Sequence, residues 1–157
     1  LGDLVILMAY AFLPTIGTSF VTTGAIDWSV LLIALPVGLI TDGILHSNNT
    51  RDTLTDRRAG IKTMAMGLGH KASAILYGFE VIFPYVWIGV LSIMGLMPIT
   101  TIVIFLTLAV AIGCAKTMMH SLEGGSGVIA DLDVRTANLQ LMFSLLLALS
   151  FVISRFI

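Results

Sequence analysis

The residues with the clearest chemical potential lie together in one polar stretch, residues 46–63. Asn48, Asp52 and Asp56 recur at i, i+4 and i+8, so a helix that continues through this stretch places all three on one face. Two carboxylates one turn apart can point at a single hard cation. Mg²⁺ is commonly held by one or two carboxylates together with substrate phosphates, and an Asn can add an amide oxygen. The spacing therefore predicts a Mg²⁺ site with Asn48, Asp52 and Asp56 as ligands.

Basic side chains follow these carboxylates closely. Arg57, Arg58 and Lys62 can supply positive charge to phosphate oxygens, and Arg can do so through two parallel hydrogen bonds. The combination indicates a Mg²⁺–diphosphate site at the mouth of a helical bundle. The alternative is a solvated loop of mixed charge, because a D-x-x-x-D pair alone is a weak signal. A loop that only orients a membrane protein needs Lys and Arg but no carboxylates in helical register, which favours the site.

The elements that must position this stretch are helices in a bilayer. Of the 157 residues, 57% are hydrophobic and 11% are charged, against about 45–50% and about 25% in soluble chains. The mean hydropathy is +1.04. These figures exclude a disordered chain, a nucleic-acid-binding domain and an ordinary cytosolic globule. The single cysteine, Cys114, excludes an internal disulfide and a Cys-based zinc site.

Five apolar runs approach or exceed the length that a bilayer-crossing helix needs, about 20 residues. They alternate too weakly for strands of a membrane barrel, so each is predicted to be a helix. We therefore expect an all-α integral membrane protein with a single multi-pass domain. The predicted spans cover approximately residues 4–21, 28–46, 72–96, 98–115 and 139–156.

The connections between the spans differ in length and charge. The short ones, 22–27 and 96–98, contain no Lys or Arg, whereas 47–71 and 116–138 hold seven of the eight basic residues, all but Arg155. The positive-inside rule then predicts that both long connections face the cytoplasm. In a bacterial cell, the membrane concerned would be the inner, plasma membrane.

The stretch Leu45-His-Ser-Asn-Asn-Thr-Arg-Asp52, with Asp56-Arg and Ala59-Gly60 after it, resembles the second aspartate motif of the UbiA superfamily of intramembrane prenyltransferases. Within that family it is similar to the menaquinone branch, the 1,4-dihydroxy-2-naphthoate prenyltransferases and their vertebrate UbiA-domain relative. Leu1-Gly-Asp-Leu4 and Arg135-Thr-Ala-Asn-Leu-Gln-Leu-Met-Phe143 resemble the branch's entries to its fifth and last helices. One departure is Ala9-Tyr10-Ala11, where the family often has Phe-Phe-Gly.

The resemblance implies a nine-helix bundle in which two aspartate motifs face each other across a central cavity. This chain has five predicted spans and one motif, so we expect it to be the C-terminal five-ninths of such an enzyme and inactive by itself. The implied reaction is Mg²⁺-dependent transfer of a polyprenyl group from its diphosphate to an aromatic acceptor, dihydroxynaphthoate. Asp52, Asp56 and Lys62 are the expected catalytic residues, and the expected diphosphate-binding residues are Asn48, Asn49, Arg51, Arg57, Arg58 and Lys62.

Other interpretations compete with this one. The acceptor could be 4-hydroxybenzoate, as in the ubiquinone pathway. A CDP-alcohol phosphatidyltransferase is also embedded in the membrane and rich in aspartate, but its D-x-x-D-G signature is absent from Asp52-Thr-Leu-Thr-Asp-Arg57. A transporter fragment or a lipid-binding membrane protein would need no catalytic site. The sequence upstream of Leu1 discriminates these, because a first aspartate motif there supports the enzyme.

Overall fold

The computed structural model describes residues 2–157, with only the backbone for Asp3. Within that range every regular element is a helix and no strand is present, which confirms the predicted all-α class. Five helices are long and apolar enough to cross a bilayer: Leu4–Thr23, Trp28–Arg51, His70–Ile93, Ile99–Gly124 and Ser126–Ile153. The Leu1-Gly-Asp-Leu4 stretch, which resembles the entry to the family's fifth helix, includes Leu1 and the Asp3 side chain, and both lie outside the described part of the chain.

The described residues form eight α-helices and four segments of other helix types, and α4 and α5 lie in the connection between the second and third spans. The segments are π-helical at Met8–Phe12 and 3₁₀-helical at Trp28–Val30, Ile99–Thr107 and Ser126–Ile129. The α-helices are α1 (Gly2–Leu7), α2 (Leu13–Thr23), α3 (Leu31–Arg51), α4 (Thr53–Arg58), α5 (Met64–Leu68), α6 (His70–Ile93), α7 (Leu108–Gly124) and α8 (Leu132–Ile153).

Local chemistry fixes several helix ends. Gly24 ends α2 with a φ of 73°, a left-handed conformation that glycine adopts without steric cost, and donates its N–H to the Phe20 carbonyl. The Thr63 hydroxyl caps α5 by accepting the Met66 N–H. Pro98 directly precedes the Ile99–Thr107 segment. Because Pro has a fixed φ and no N–H, it suits the start of a helix better than its interior.

The helices extend beyond the apolar runs that predict them. The second span continues to Arg51 rather than to residue 46, and the fourth continues to Gly124 rather than to residue 115. α8 begins at Leu132, so the connection predicted as 116–138 is largely helical and its non-α part is short. Hydropathy marks where the bilayer is, whereas the i→i−4 hydrogen bonds that define a helix continue into polar residues.

The core lies between α3, α6, α7 and α8. Buried polar pairs join these helices: the hydroxyls of Tyr77 and Thr136 are 2.6 Å apart, and those of Tyr85 and Thr107 are 2.7 Å apart. A buried contact between His46 Nδ1 and Glu80 Oε1, 3.2 Å apart, links α3 to α6. Polar groups away from water are costly unless they are paired, so these contacts fix the relative rotation of the helices. α3 is thereby held firmly up to its polar end.

The first membrane helix packs against one side of α3, where Gly38 permits a close approach. A Cβ atom at position 38 would lie 2.5 Å from Leu7 Cδ1 and 2.7 Å from Ala11 Cβ, distances that real side chains do not tolerate. Ala11 is the buried residue of this helix, most of whose large apolar side chains are exposed. Small residues at such a crossing let the two backbones approach without a hydrophobic driving force.

Candidate functional site

The polar stretch predicted from sequence begins as the last turn of α3 and turns at Asp52. α3 ends at Arg51, and Asp52 has φ −92° and ψ 8° before α4 starts at Thr53. The continuous helix that would place Asn48, Asp52 and Asp56 on one face is therefore interrupted at Asp52. The one-turn spacing survives, because the Asp52 N–H donates to the Asn48 carbonyl and the Asp56 N–H donates to the Asp52 carbonyl, both at 2.9 Å.

Arg51 is the centre of the polar contacts at this turn. Its Nε donates to Asp52 Oδ1 at 2.9 Å and its Nη2 to Asp52 Oδ2 at 3.0 Å, a two-point ion pair. Nη2 also donates to Asn48 Oδ1. On the other edge, Nη1 donates to Asp133 Oδ2 at 2.9 Å and to the Ala130 carbonyl at 3.0 Å. One guanidinium thus joins the end of α3 to the start of α8.

The two carboxylates of the motif have different environments. The hydrogen bonds from Arg51 hold the pKa of the Asp52 carboxyl below its usual range, so Asp52 is ionised at neutral pH. The half-buried Asp56 side chain makes no hydrogen bond or ion pair to any residue the structure describes. An ionised oxygen ligand and a second carboxylate one turn away suit a hard cation such as Mg²⁺.

Four predicted diphosphate-binding residues do not join this cluster. Arg57 lines a cavity of about 310 Å³ that Arg51 also lines, between the end of α3, the start of α6 and the residues after α7. Arg58 and Lys62 are exposed, and neither side chain is paired within the described chain. Asn49 is half-buried, and its carbonyl accepts the Thr53 hydroxyl at 3.0 Å. The structure therefore gathers Asn48, Arg51 and Asp52 but spreads the remaining basic groups over the connection.

An apolar cavity of about 240 Å³ adjoins the cluster. Among the described residues, the first membrane helix contributes Ile6 and Tyr10, and α3 contributes Thr41, Ile44 and Leu45. Asn48 and Asp133 bring polar atoms to this lining. Tyr10 therefore lines this cavity, and it belongs to the segment that departs from the family's Phe-Phe-Gly pattern. The arrangement offers apolar surface to a lipid-soluble molecule next to groups that can bind a charged head.

Asp133 is a member of the cluster that the sequence interpretation missed. It lies 82 positions from Arg51, and its Oδ1 accepts the Val134 N–H at 3.0 Å within the first turn of α8. From sequence alone an acidic residue there indicates a favourable interaction with the helix dipole. The position of Asp133 in the sequence therefore indicates a role at the start of a helix and gives no sign of a site residue.

The donor chemistry of the cluster fits part of a Mg²⁺ coordination shell. Asn48, Asp52 and Asp56 offer only oxygen ligands, and Mg²⁺ usually keeps waters and substrate phosphates beside one or two carboxylates. Among the residues whose side chains are described, no three His, Cys, Asp or Glu come together as a full metal cluster. The fit is therefore to a cation shared between this turn and a phosphorylated ligand, rather than to a cage built by this chain.

Comparison with known proteins finds similarity to one family. The model of the UbiA prenyltransferase family matches residues 1–127. A UbiA prenyltransferase domain-containing protein 1 homolog from Drosophila melanogaster is 46% identical over 85 residues, which are 54% of this chain and 24% of that protein. The UbiA prenyltransferase domain-containing protein 1 of Xenopus tropicalis is 44% identical over 92 residues, 59% of this chain and 27% of the relative.

The corresponding protein from Mus musculus is 41% identical over 106 residues, which are 65% of this chain and 32% of its own length. The matches thus span about a quarter to a third of these relatives. They confirm the resemblance at the level of the UbiA family. The relatives carry a general domain name that specifies no aromatic acceptor, so the narrower menaquinone branch stays a prediction.

Proposed function

The chain belongs to the UbiA prenyltransferase family, and we propose that it forms part of an integral membrane enzyme that transfers a polyprenyl group from its diphosphate to an aromatic acceptor. The observation that carries this proposal is the apolar cavity beside the Asn48–Arg51–Asp52 cluster, at the end of a membrane-spanning helix. A polyprenyl tail needs apolar surroundings, whereas its diphosphate needs a cation and basic groups near water. Within one turn of α3, the structure places candidate cation ligands beside an apolar cavity.

Each residue has a distinct role in the proposed mechanism. Asp52, Asp56 and Asn48 would hold Mg²⁺, which when bound neutralises the diphosphate leaving group. Lys62 and Arg58, unpaired within the described chain, are the groups able to stabilise the negative charge that develops on the diphosphate. Arg51, whose donors already meet protein oxygens, orients Asp52 rather than the substrate.

The transfer itself breaks the bond between the allylic carbon and the diphosphate oxygen, and the electron pair leaves with the diphosphate. The allylic carbon becomes cation-like, and an electron-rich ring carbon attacks it to form the new carbon–carbon bond. We propose 1,4-dihydroxy-2-naphthoate as the acceptor because the His46–Asp52 motif resembles the menaquinone branch. With this acceptor the attacked carbon loses its carboxylate as carbon dioxide, which restores the aromatic electron count.

An acceptor competition tests this proposal. The intact protein, purified in a membrane mimetic with Mg²⁺ and a prenyl diphosphate, receives equal concentrations of dihydroxynaphthoate and 4-hydroxybenzoate. We expect prenylated naphthoquinol as the main product, with activity lost on chelation of Mg²⁺. If hydroxybenzoate is prenylated instead, the proposed acceptor is wrong and the protein uses the hydroxybenzoate class. The absence of transfer to any aromatic acceptor would favour the transporter or lipid-binding alternatives.

We further propose that both long connections, 47–71 and 116–138, face the cytoplasm, because they hold seven of the eight basic residues. Thr55 is exposed on α4, and the native Cys114 is buried, so Thr55→Cys provides a single accessible thiol. An impermeant thiol reagent should label it after the cells are lysed but not in intact cells. Labelling from outside intact cells would reverse the orientation.

A further inference from the structure

We infer that Asp133 is a positioning residue for the candidate cation site, acting through Arg51 from the far side of the cluster. This inference rests on the proposed function, since it concerns how Asp52 becomes available to Mg²⁺. Arg51 is shared between two carboxylates: one guanidinium edge meets Asp52, and Nη1 on the other edge meets Asp133. Because Asp133 opens α8, it ties the second long connection to the aspartate motif.

The geometry sets up a competition for Asp52. Both carboxylate oxygens of Asp52 accept hydrogen bonds from Arg51, so a cation that binds them must share these oxygens with the guanidinium and is repelled by its charge. Arg51 and Asp133 are each 24% exposed, and Asp52 is 38% exposed. A largely buried guanidinium that loses its only carboxylate partner is costly. With Asp133 in place, Arg51 keeps a carboxylate when Asp52 turns to the cation.

The chain of contacts therefore predicts opposite effects at its two ends. Removing the Arg51 charge frees Asp52 from its competitor, so Mg²⁺ should bind more tightly. Removing the Asp133 charge leaves Asp52 as the only carboxylate partner of Arg51, so Mg²⁺ should bind more weakly. If Asp133 acts only through Arg51, its effect must disappear once Arg51 is gone. If Asp133 instead acts through its charge in general, removing it should weaken Mg²⁺ binding equally with and without Arg51.

The experiment measures binding of Mg²⁺ alone by calorimetry to the intact protein in nanodiscs, with no prenyl substrate present. The variants are Arg51→Gln, Asp133→Asn and the double variant. Asp131→Asn is the matched control, since it removes the same charge two residues away, and the Asp131 side chain forms no hydrogen bond or ion pair with Arg51. Melting temperatures verify that each variant is folded. If Arg51→Gln fails to fold, Arg51→Met replaces it in the cycle, because Met also removes the charge and keeps a long unbranched side chain.

We expect Asp133→Asn to raise the Mg²⁺ dissociation constant roughly fivefold to tenfold and Arg51→Gln to lower it by a similar factor, the range of coupled neighbours. The double variant should match Arg51→Gln, and Asp131→Asn should match the wild type. Additive effects in the double variant would overturn the positioning role, as would an equal weakening by Asp131→Asn. If Asp52→Ala leaves Mg²⁺ binding unchanged, it is the proposed metal site that fails.

Discussion

Polar side chains are paired in the interior of the bundle, whereas several on the polar connection after α3 have no side-chain partner within the described residues. In the interior, Tyr77 and Tyr85 each have a hydroxyl partner on a neighbouring helix, and His46 pairs with Glu80. On the connection, Asp56 and Lys62 have no side-chain partner within residues the structure describes. Paired polar groups hold helices together, whereas unpaired ones at a membrane surface remain available to a ligand.

This contrast separates residues that the fold requires from residues that the reaction requires. Interior substitutions should lower the melting temperature and leave the chemistry of the folded fraction largely intact. Substitutions in the turn should lower the activity of the folded protein and leave the melting temperature largely unchanged. Arg51 belongs to both groups, because it is fully engaged by protein oxygens and yet contacts a candidate metal ligand.

The largest effect is expected from the carboxylates. Asp52→Ala and Asp56→Ala in the intact protein should each lower prenyl transfer by at least ~10²-fold, since a lost ligand removes stabilisation of the leaving group. The melting temperature of Asp56→Ala should equal that of the wild type, because its side chain supports no contact in the described chain. Near-normal turnover of folded Asp52→Ala would end the site assignment.

A large effect on stability alone is expected at the crossing of the first helix with α3. Gly38→Ala places a Cβ within 2.7 Å of Ala11 Cβ, which should cost about 1–3 kcal/mol of folding free energy through overpacking. Gly78→Ala is the matched control, because no atom lies within 4 Å of the added Cβ in α6. Thermal melts that show equal stability for the two variants would contradict the close approach.

Asn48→Ser tests the border between the two regions. Asn48 Oδ1 accepts from Arg51, and the shorter Ser does not span that gap, so the loss should be partial, on the order of 1–3 kcal/mol. We expect the loss in the Mg²⁺ and prenyl-diphosphate dependence, while the KM of the aromatic acceptor changes little. If Asn48 serves only stability, the melting temperature falls and the prenyl-diphosphate KM stays unchanged.

The smallest effect should come from an interior pair. Tyr77→Phe removes the 2.6 Å hydroxyl contact with Thr136, which keeps a hydrogen bond to the Leu132 carbonyl at 2.7 Å. Unfolding should become easier by about 0.5–1.5 kcal/mol, with kcat almost unaffected. Tyr85→Phe provides a parallel case with Thr107 as the partner. A tenfold loss of kcat without a change in melting temperature would place Tyr77 near the reaction instead.

Several properties of this protein follow from its sequence alone. The number of membrane helices can be read from it because the bilayer requires about 20 apolar residues per span, a constraint that involves no other part of the chain. The one-turn spacing of Asn48, Asp52 and Asp56 is likewise local, and it survives the turn at Asp52. Helix ends were less predictable, as at Arg51 and Gly124, because backbone hydrogen bonds do not stop where hydropathy falls.

The partners of these residues required the tertiary structure. The resemblance implies that Arg51 binds diphosphate, and the packing of α8 beside α3 adds Asp133 as a partner of its other edge. Arg57 lies one residue from Asp56, yet it lines a cavity with His70 at the start of α6 and Ser126 beyond the end of α7. Sequence spacing determines which side chains share a helix face. Which charge each one meets depends on residues far away in the chain, and only the packed bundle brings them within hydrogen-bonding distance.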